Sequence, residues 1–254
     1  MKLRKLYKYI LLFFFTTPIN SLGSEENLFS ENLKGFIGFG YYTAKLNMGT
    51  NKTDSYFLPY GLFTYKKFFF EINTFGTNFY MIGKNSLQFV ARIDADDYVF
   101  LSDKKTTLIK NNPYPLGLSL SRLTSIGSFS FRAFHDIGKS NGNLFEINFS
   151  TKLPALRGIN IYPQLSIEHQ SKEYANHFYG IELNEAKLMG LSYYNAPETT
   201  NFLAGILIQI PLSGKWHLTL FERYRWLGNG INDSPLTTGS AQNNFFISLS
   251  YKFE

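Results

Sequence analysis

Asn244-Phe245-Phe246-Ile247-Ser248-Leu249-Ser250-Tyr251-Lys252-Phe253 is the stretch whose reading decides the fold. Every second residue is large and apolar (Phe245, Ile247, Leu249, Tyr251, Phe253), and Ser248, Ser250 and Lys252 between them are polar. A strand sends successive side chains to opposite faces, so this segment has one oily face and one wet face. With a Phe one residue from the end of the sequence, it matches the closing strand of an outer-membrane barrel. Soluble sandwiches alternate too. The reading therefore requires the pattern to recur along the chain and an export signal to precede it.

The export signal is legible. Lys2, Arg4, Lys5 and Lys8 form a basic start, Ile10-Leu11-Leu12-Phe13-Phe14-Phe15 an apolar run, and Ser21, Gly23 and Ser24 a small-residue stretch. That order is a signal peptide, expected over residues 1–23 with cleavage near Gly23. The run is too short for a membrane-spanning helix, which needs about 20 apolar residues. No Cys follows it, which excludes a lipoprotein anchor.

Composition agrees with this class. The absence of Cys rules out a small disulfide scaffold. The formal charge of +6 is largely a property of the leader. Removing its four cations leaves 21 Lys and Arg against 19 acids, a net +2. So balanced a chain offers no electrostatic footprint for nucleic acid. Mean hydropathy is slightly negative, as in barrels, where half of each strand faces the interior.

Alternation recurs along the chain. Residues 215–227 place Trp216, Leu218, Leu220, Tyr224 and Trp226 on one face and His217, Thr219, Arg223 and Arg225 on the other. Phe202, Ala204, Ile206, Ile208 and Ile210 share a face, as do Ile159, Ile161, Leu165 and Ile167 opposite Glu168. Phe145, Ile147 and Phe149 oppose Glu146; Phe129, Phe131 and Ala133 oppose Arg132; Leu87, Phe89 and Ala91 oppose Arg92; Leu116, Leu118 and Leu120 oppose serines. Near 35–43, 55–65 and 67–73 aromatics occupy both faces. There Phe57, Phe63 and Phe69 are assigned inward, together with Phe221 and Phe246.

Two features favour lipid over a soluble core. The polar faces carry Arg92, Arg132, Glu146, Glu168, Arg223 and Arg225, which become the candidate lumen-lining residues. On the oily face, Trp216 below and Tyr224 and Trp226 above bracket Leu218 and Leu220. Ten tilted strand residues rise roughly 23 Å, near the height of a lipid-facing band. Trp216, Tyr224, Trp226, Tyr251 and Phe253 are therefore the expected lipid-interface aromatics. Glu222 interrupts this face; outward acids cost less than outward cations, and least near an interface.

Link lengths set the topology. Short links at 65–67, 84–86, 125–127, 154–158 and 211–215 alternate with long ones at 45–54, 96–114, 136–142, 171–198 and 228–242. Outer-membrane barrels keep tight periplasmic turns and long outer loops. The expected fold is all-β: a single-domain (24–254) transmembrane antiparallel up-and-down barrel of twelve strands, with ten as the alternative. Twelve requires two strands near 67–73 and 77–83.

With the strands placed, Phe57-Leu58-Pro59-Tyr60-Gly61-Leu62-Phe63-Thr64-Tyr65 and Lys67-Phe68-Phe69-Phe70 resemble the early proline-bearing hairpin of the MipA/OmpV family, the MltA-interacting proteins. His177-Phe178-Tyr179-Gly180-Ile181 resembles that family's aromatic loop. Arg223-Tyr224-Arg225-Trp226-Leu227 with Asn232-Asp233-Ser234-Pro235 resembles its penultimate strand and acidic loop, and Tyr251-Lys252-Phe253 its terminus. Gly61 stands where many members have a second Pro, and Glu254 follows the Phe on which most end. The resemblance implies an outer-membrane barrel set in lipid, delivered by the barrel-insertion machinery that reads the terminal Phe. It implies a scaffold role, bridging a lytic transglycosylase and a murein synthase, or a porin-like role.

Chemistry is sparse. A hydrolase on the wall needs a nucleophile beside a base. His169 with Ser166 or Ser171, and His135 with Asp136, are the candidates. Ser166 is assigned inward and His169 outward, and no nucleophile elbow is present. No enzyme and no cofactor is expected. Histidines at 135, 169, 177 and 217 lack metal-ligand spacing. Asp94, Asp96, Asp97 and Asp103 have the oxygen chemistry for calcium, but read more simply as a hydrated loop. The inward ions either line a narrow passage that favours charged solutes or plug the lumen with salt bridges.

Overall fold

The computed structural model describes residues 30–45, 53–71, 73–92, 98–101, 107–154 and 158–253. The leader, the acidic residues 94, 96, 97 and 103, and Glu254 lie outside them. The strands are β1 (Ser30–Lys45), β2 (Thr53–Lys66), β3 (Phe68–Glu71), β4 (Thr74–Ile82), β5 (Asn85–Arg92), β6 (Tyr98–Leu101), β7 (Thr107–Lys110), β8 (Pro115–Thr124), β9 (Gly127–Asp136), β10 (Asn143–Ser150), β11 (Asn160–Gln170), β12 (Thr199–Pro211), β13 (Trp216–Trp226) and β14 (Ala241–Phe253). Among the described residues, three helices, α1 (Lys172–Tyr179), α2 (Leu183–Met189) and α3 (Asn229–Asn232), lie in the two long links after β11 and β13.

Twelve of the strands close into an antiparallel barrel; β6 and β7 pair only with each other, as a hairpin within the link between β5 and β8. Closure joins β1 to β14, from Gly35 opposite Phe253 to Lys45 opposite Asn243. Closing the sheet removes the free edges that hydrocarbon cannot satisfy. The shortest strand of the barrel is β3, whose four residues pair with β2 only over Leu62–Tyr65.

The pleat follows the sequence. Leu249 and Tyr251 are exposed on the outside of β14, whereas Ser248, Ser250 and Phe246 are buried inside. Exposed Phe89, Leu116, Leu118, Leu120, Phe131, Ile147, Leu165 and Phe202 continue the oily exterior on other strands. Gly40, on the inner face of β1, makes room for the plug: a Cβ there would lie 2.2 Å from the Phe246 ring.

Two assignments fail. Phe57 is 81% exposed, on the outer face. Phe63 shares that face, stacking on Phe70 at 5.3 Å and lying 6.5 Å from Phe253. Leu58, Tyr60 and Leu62 take the interior instead. Both registers of this strand are apolar, so alternation cannot choose between them. The choice falls to packing against Tyr42 and Phe246 inside. Phe69, Phe221 and Phe246 do face inward.

Outward Glu222 now has a partner, since the Asn243 side-chain amide donates to it at 3.2 Å. Below it, Leu220 lies between Ile208 on β12 and Ile247 on β14. Leu220→Arg is expected to destabilise the folded barrel by about 2–4 kcal/mol, the cost of a cation near the bilayer midplane. Urea unfolding in lipid vesicles, followed by Trp fluorescence, measures it; an unchanged midpoint would place this face away from hydrocarbon.

Candidate functional site

The barrel interior is filled by two kinds of side chain. Along β1, β2 and β11–β14, Tyr42, Leu58, Tyr60, Leu62, Tyr162, Leu207, Phe221 and Phe246 form one buried cluster. Tyr60 and Phe246 meet with ring centroids 5.6 Å apart. These side chains form one packed hydrophobic layer inside this part of the wall.

The second kind is ionic. Arg92, Arg132, Glu146, Glu168, Arg223 and Arg225 are each 7% exposed or less. A buried charge is tolerated only when paired and hydrogen-bonded. Arg92 Nη2 donates to Glu146 Oε2 at 2.7 Å, and its guanidinium lies 4.5 Å from the Phe134 ring centroid. Arg132 Nη2 donates to Glu71 Oε2 at 2.8 Å. Glu71, on short β3, is a partner that sequence reading missed, although it shares the inward parity of Phe69. Arg225 donates to Glu168 through Nη2 and to Gln242 through Nη1, the latter at 3.0 Å. Glu168 also accepts from Asn201 at 2.8 Å and Gln170 at 3.1 Å. Asn201 in turn accepts from the Gly228 N–H at 2.9 Å, tying the network to the segment before α3.

A lid covers the mouth. α1 starts at Ser171, whose hydroxyl accepts from the Tyr174 N–H, a standard N-cap. Its buried residues Tyr174, Ala175, Phe178 and Tyr179 pack with Phe69, Val90, Phe134 and Leu144 of the wall. α2 has a reciprocal Glu182–Glu185 capping box and ends at Gly190 with φ +70°, a left-handed cap suited to glycine. Ala186 and Met189 join Ile181 and Leu236 in a third cluster, against which Leu108 of β7 packs. Lys110 Nζ donates to both Glu185 oxygens, at 2.8 and 2.9 Å, fastening the β6–β7 hairpin to α2. Burial pushes the His177 imidazole below its usual pKa, against the bond to the Asn111 carbonyl, which raises it. The long links read as loops thus contain the helices that close the barrel.

The interface aromatics sit outside. Trp216 meets Tyr251 edge-on at 5.5 Å, and Tyr224 stacks near Trp226 at 6.4 Å. All four are exposed, and Phe253 is half-buried beside Phe63.

The catalytic candidates are otherwise engaged. His169 Nδ1 bonds the Thr200 hydroxyl at 2.9 Å. The Ser171 hydroxyl donates to Glu173 while capping α1. His135 Nδ1 bonds Asn143 Oδ1 at 2.9 Å, and Asp136 accepts from the backbone of Tyr114, Gly138 and Ser140. None of these contacts joins a nucleophile to a base.

Comparison with known proteins places this geometry. The family model described as MltA-interacting protein MipA matches residues 37–253. Outer membrane protein Omp26La of Vibrio anguillarum is 25% identical over 139 residues, covering 54% of this chain and 53% of that protein. The MltA-interacting protein of Escherichia coli (strain K12) is 23% identical over 169 residues, covering 66% and 65%. The matched region thus spans about half to two-thirds of these relatives. Among solved structures, the NanC porin aligns over 86% of this chain and 100% of its own, with 13% identity and a TM-score of 0.40.

Proposed function

We propose that this chain, which belongs to the MltA-interacting protein MipA family of outer-membrane barrels, works as a non-conducting, non-enzymatic scaffold that retains murein-remodelling enzymes at the periplasmic face. The observation that carries the reading is the filled interior: an aromatic plug, three buried Arg–Glu bridges and a docked lid occupy the space a solute would need. A barrel that transports nothing has its surfaces left to act with. The name of the Escherichia coli relative points to a lytic transglycosylase as the first partner, with a murein synthase as the second. In this proposal the leader is removed near Gly23 and the barrel-insertion machinery places the mature chain in the outer membrane.

A second reading, a narrow porin-like channel, draws on the buried arginines and glutamates of the inner face. It needs the lid to lift and the bridges to part.

The scaffold reading predicts that detergent-solubilised protein on a solid support retains a lytic transglycosylase from envelope extract. It also predicts that a purified transglycosylase binds saturably. Failure of the purified enzyme to bind would remove the reading.

A further inference from the structure

The described short turns of the barrel are basic. The short turns at 66–67, 83–84, 125–126, 151–154 and 212–215 carry Lys66, Lys67, Lys84, Lys152 and Lys215 and no acid. The opposite end mixes both signs, with Glu173, Glu182, Glu185, Glu198 and Asp233 among Lys139, Lys172 and Lys187. At the turn end, Lys66 lies 5.4 Å from the ring of Tyr65 and Lys67 lies 5.6 Å from that of Phe68. Both rings are exposed on the outer wall. These ammonium groups therefore sit where the aromatic belt meets the headgroups of the adjoining leaflet.

Between two of these turns lies a cleft of about 600 Å³, lined by Ile82, Gly83, Lys84, Asn85, Arg122, Leu123, Thr124 and Ser125. The Leu123 N–H donates to the Lys84 carbonyl at 3.0 Å, which holds the two turns together. Arg122 continues the outward row of Leu116, Leu118 and Leu120 and is exposed at its end. Its pairing partners are Asn85 and Phe129. Among the described residues that line it, the cleft has two cations, hydroxyl and amide groups and no acid, and its exposed Ile82 faces the oily exterior.

We propose that this cleft binds the phosphate headgroup of an anionic phospholipid in the periplasmic leaflet, with Lys84 and Arg122 on the phosphate and the acyl chains running up past Ile82 and Leu120. Guanidinium and ammonium groups both recognise phosphate, the first bidentately and the second as a point charge. An acidic protein surface fits less well. Arg122 projects from the lipid-facing row, and the apolar side of the cleft would be left against water.

Native mass spectrometry of refolded protein with equimolar phosphatidylglycerol and phosphatidylcholine tests this. The expected result is preferential retention of phosphatidylglycerol, reduced about 25-fold in the Lys84→Gln/Arg122→Gln double variant, at roughly one factor of five per cation. Lys187→Gln, on α2 at the opposite end, should leave the preference unchanged. Heat-modifiable mobility on gels checks that each variant is a folded barrel. Equal retention of the two lipids, or a preference undiminished in the double variant, would overturn the proposal. So would inorganic phosphate binding as tightly as the lipid. A double variant that loses the transglycosylase yet keeps its lipid preference would reassign the cleft to a protein contact, independently of whether the scaffold reading stands.

Discussion

Glu168→Ala should destabilise the folded barrel by about 3–5 kcal/mol, the usual consequence of stranding one partner of a buried ion pair. Glu168 is 2% exposed and accepts from Arg225, Asn201 and Gln170 together. Its removal takes a carboxylate from Arg225, whose bonds to Gln242 and, at 3.5 Å, to the Tyr179 hydroxyl are to uncharged groups. Arg223 shares the inner face of β13 with Arg225, so the loss also removes negative charge near a second buried cation. Glu168→Gln, which keeps an acceptor but no charge, should cost less. Glu168→Met combined with Arg225→Met should recover most of the loss, since an apolar pair of similar volume often equals or exceeds a buried bridge in stability. Urea titration in vesicles measures all three. If Glu168→Ala unfolds at the wild-type midpoint, the bridge is solvated and the interior is wetter than described.

Phe246→Ala should cost about 3–5 kcal/mol, because a lost transfer term is joined by a cavity that neighbours cannot fill. Phe246 is 1% exposed, meets Tyr60 and occupies the space that Gly40 leaves open. Its neighbour Phe245 lies on the outer face, opposite Thr43 and Glu222. Acyl chains close over a deletion there, so Phe245→Ala should lose only the transfer term, about 1.5–3 kcal/mol. The same unfolding measurement in the same vesicles ranks the two. A larger loss at Phe245 would reverse the inside and outside of β14, and with it every face assigned from the closing strand.

How much was legible follows from which strands had two different faces. β13 and β14 alternate Leu, Ile and aromatics with Thr, Ser and Arg, so their orientation is fixed by side-chain chemistry. β2 alternates Phe57 and Phe63 with Leu58, Tyr60 and Leu62. Nothing local there separates lipid from plug, and the assignment of Phe57 and Phe63 came out reversed. The pairing partners of the ions depend on which strands curve toward each other. Arg132 on β9 and Glu71 on β3 lie 61 residues apart along the chain, and closure of the barrel brings them together. The lid was hidden for another reason. α1 and α2 are two-turn helices, too short for a period of 3.6 to declare itself, and their anchoring faces become intelligible only against Phe134 and Leu144 below.

Single-channel recording of the refolded protein in a planar bilayer tests the filled lumen most directly. The packing of Tyr42, Tyr60, Tyr162, Phe221 and Phe246, with α1 over the mouth, predicts a silent membrane: insertion without steady unitary current at moderate voltage. Regular conductance steps, abolished by enlarging a side chain beside Arg223, would show that ions pass and would contradict the plugged barrel on which the scaffold reading stands.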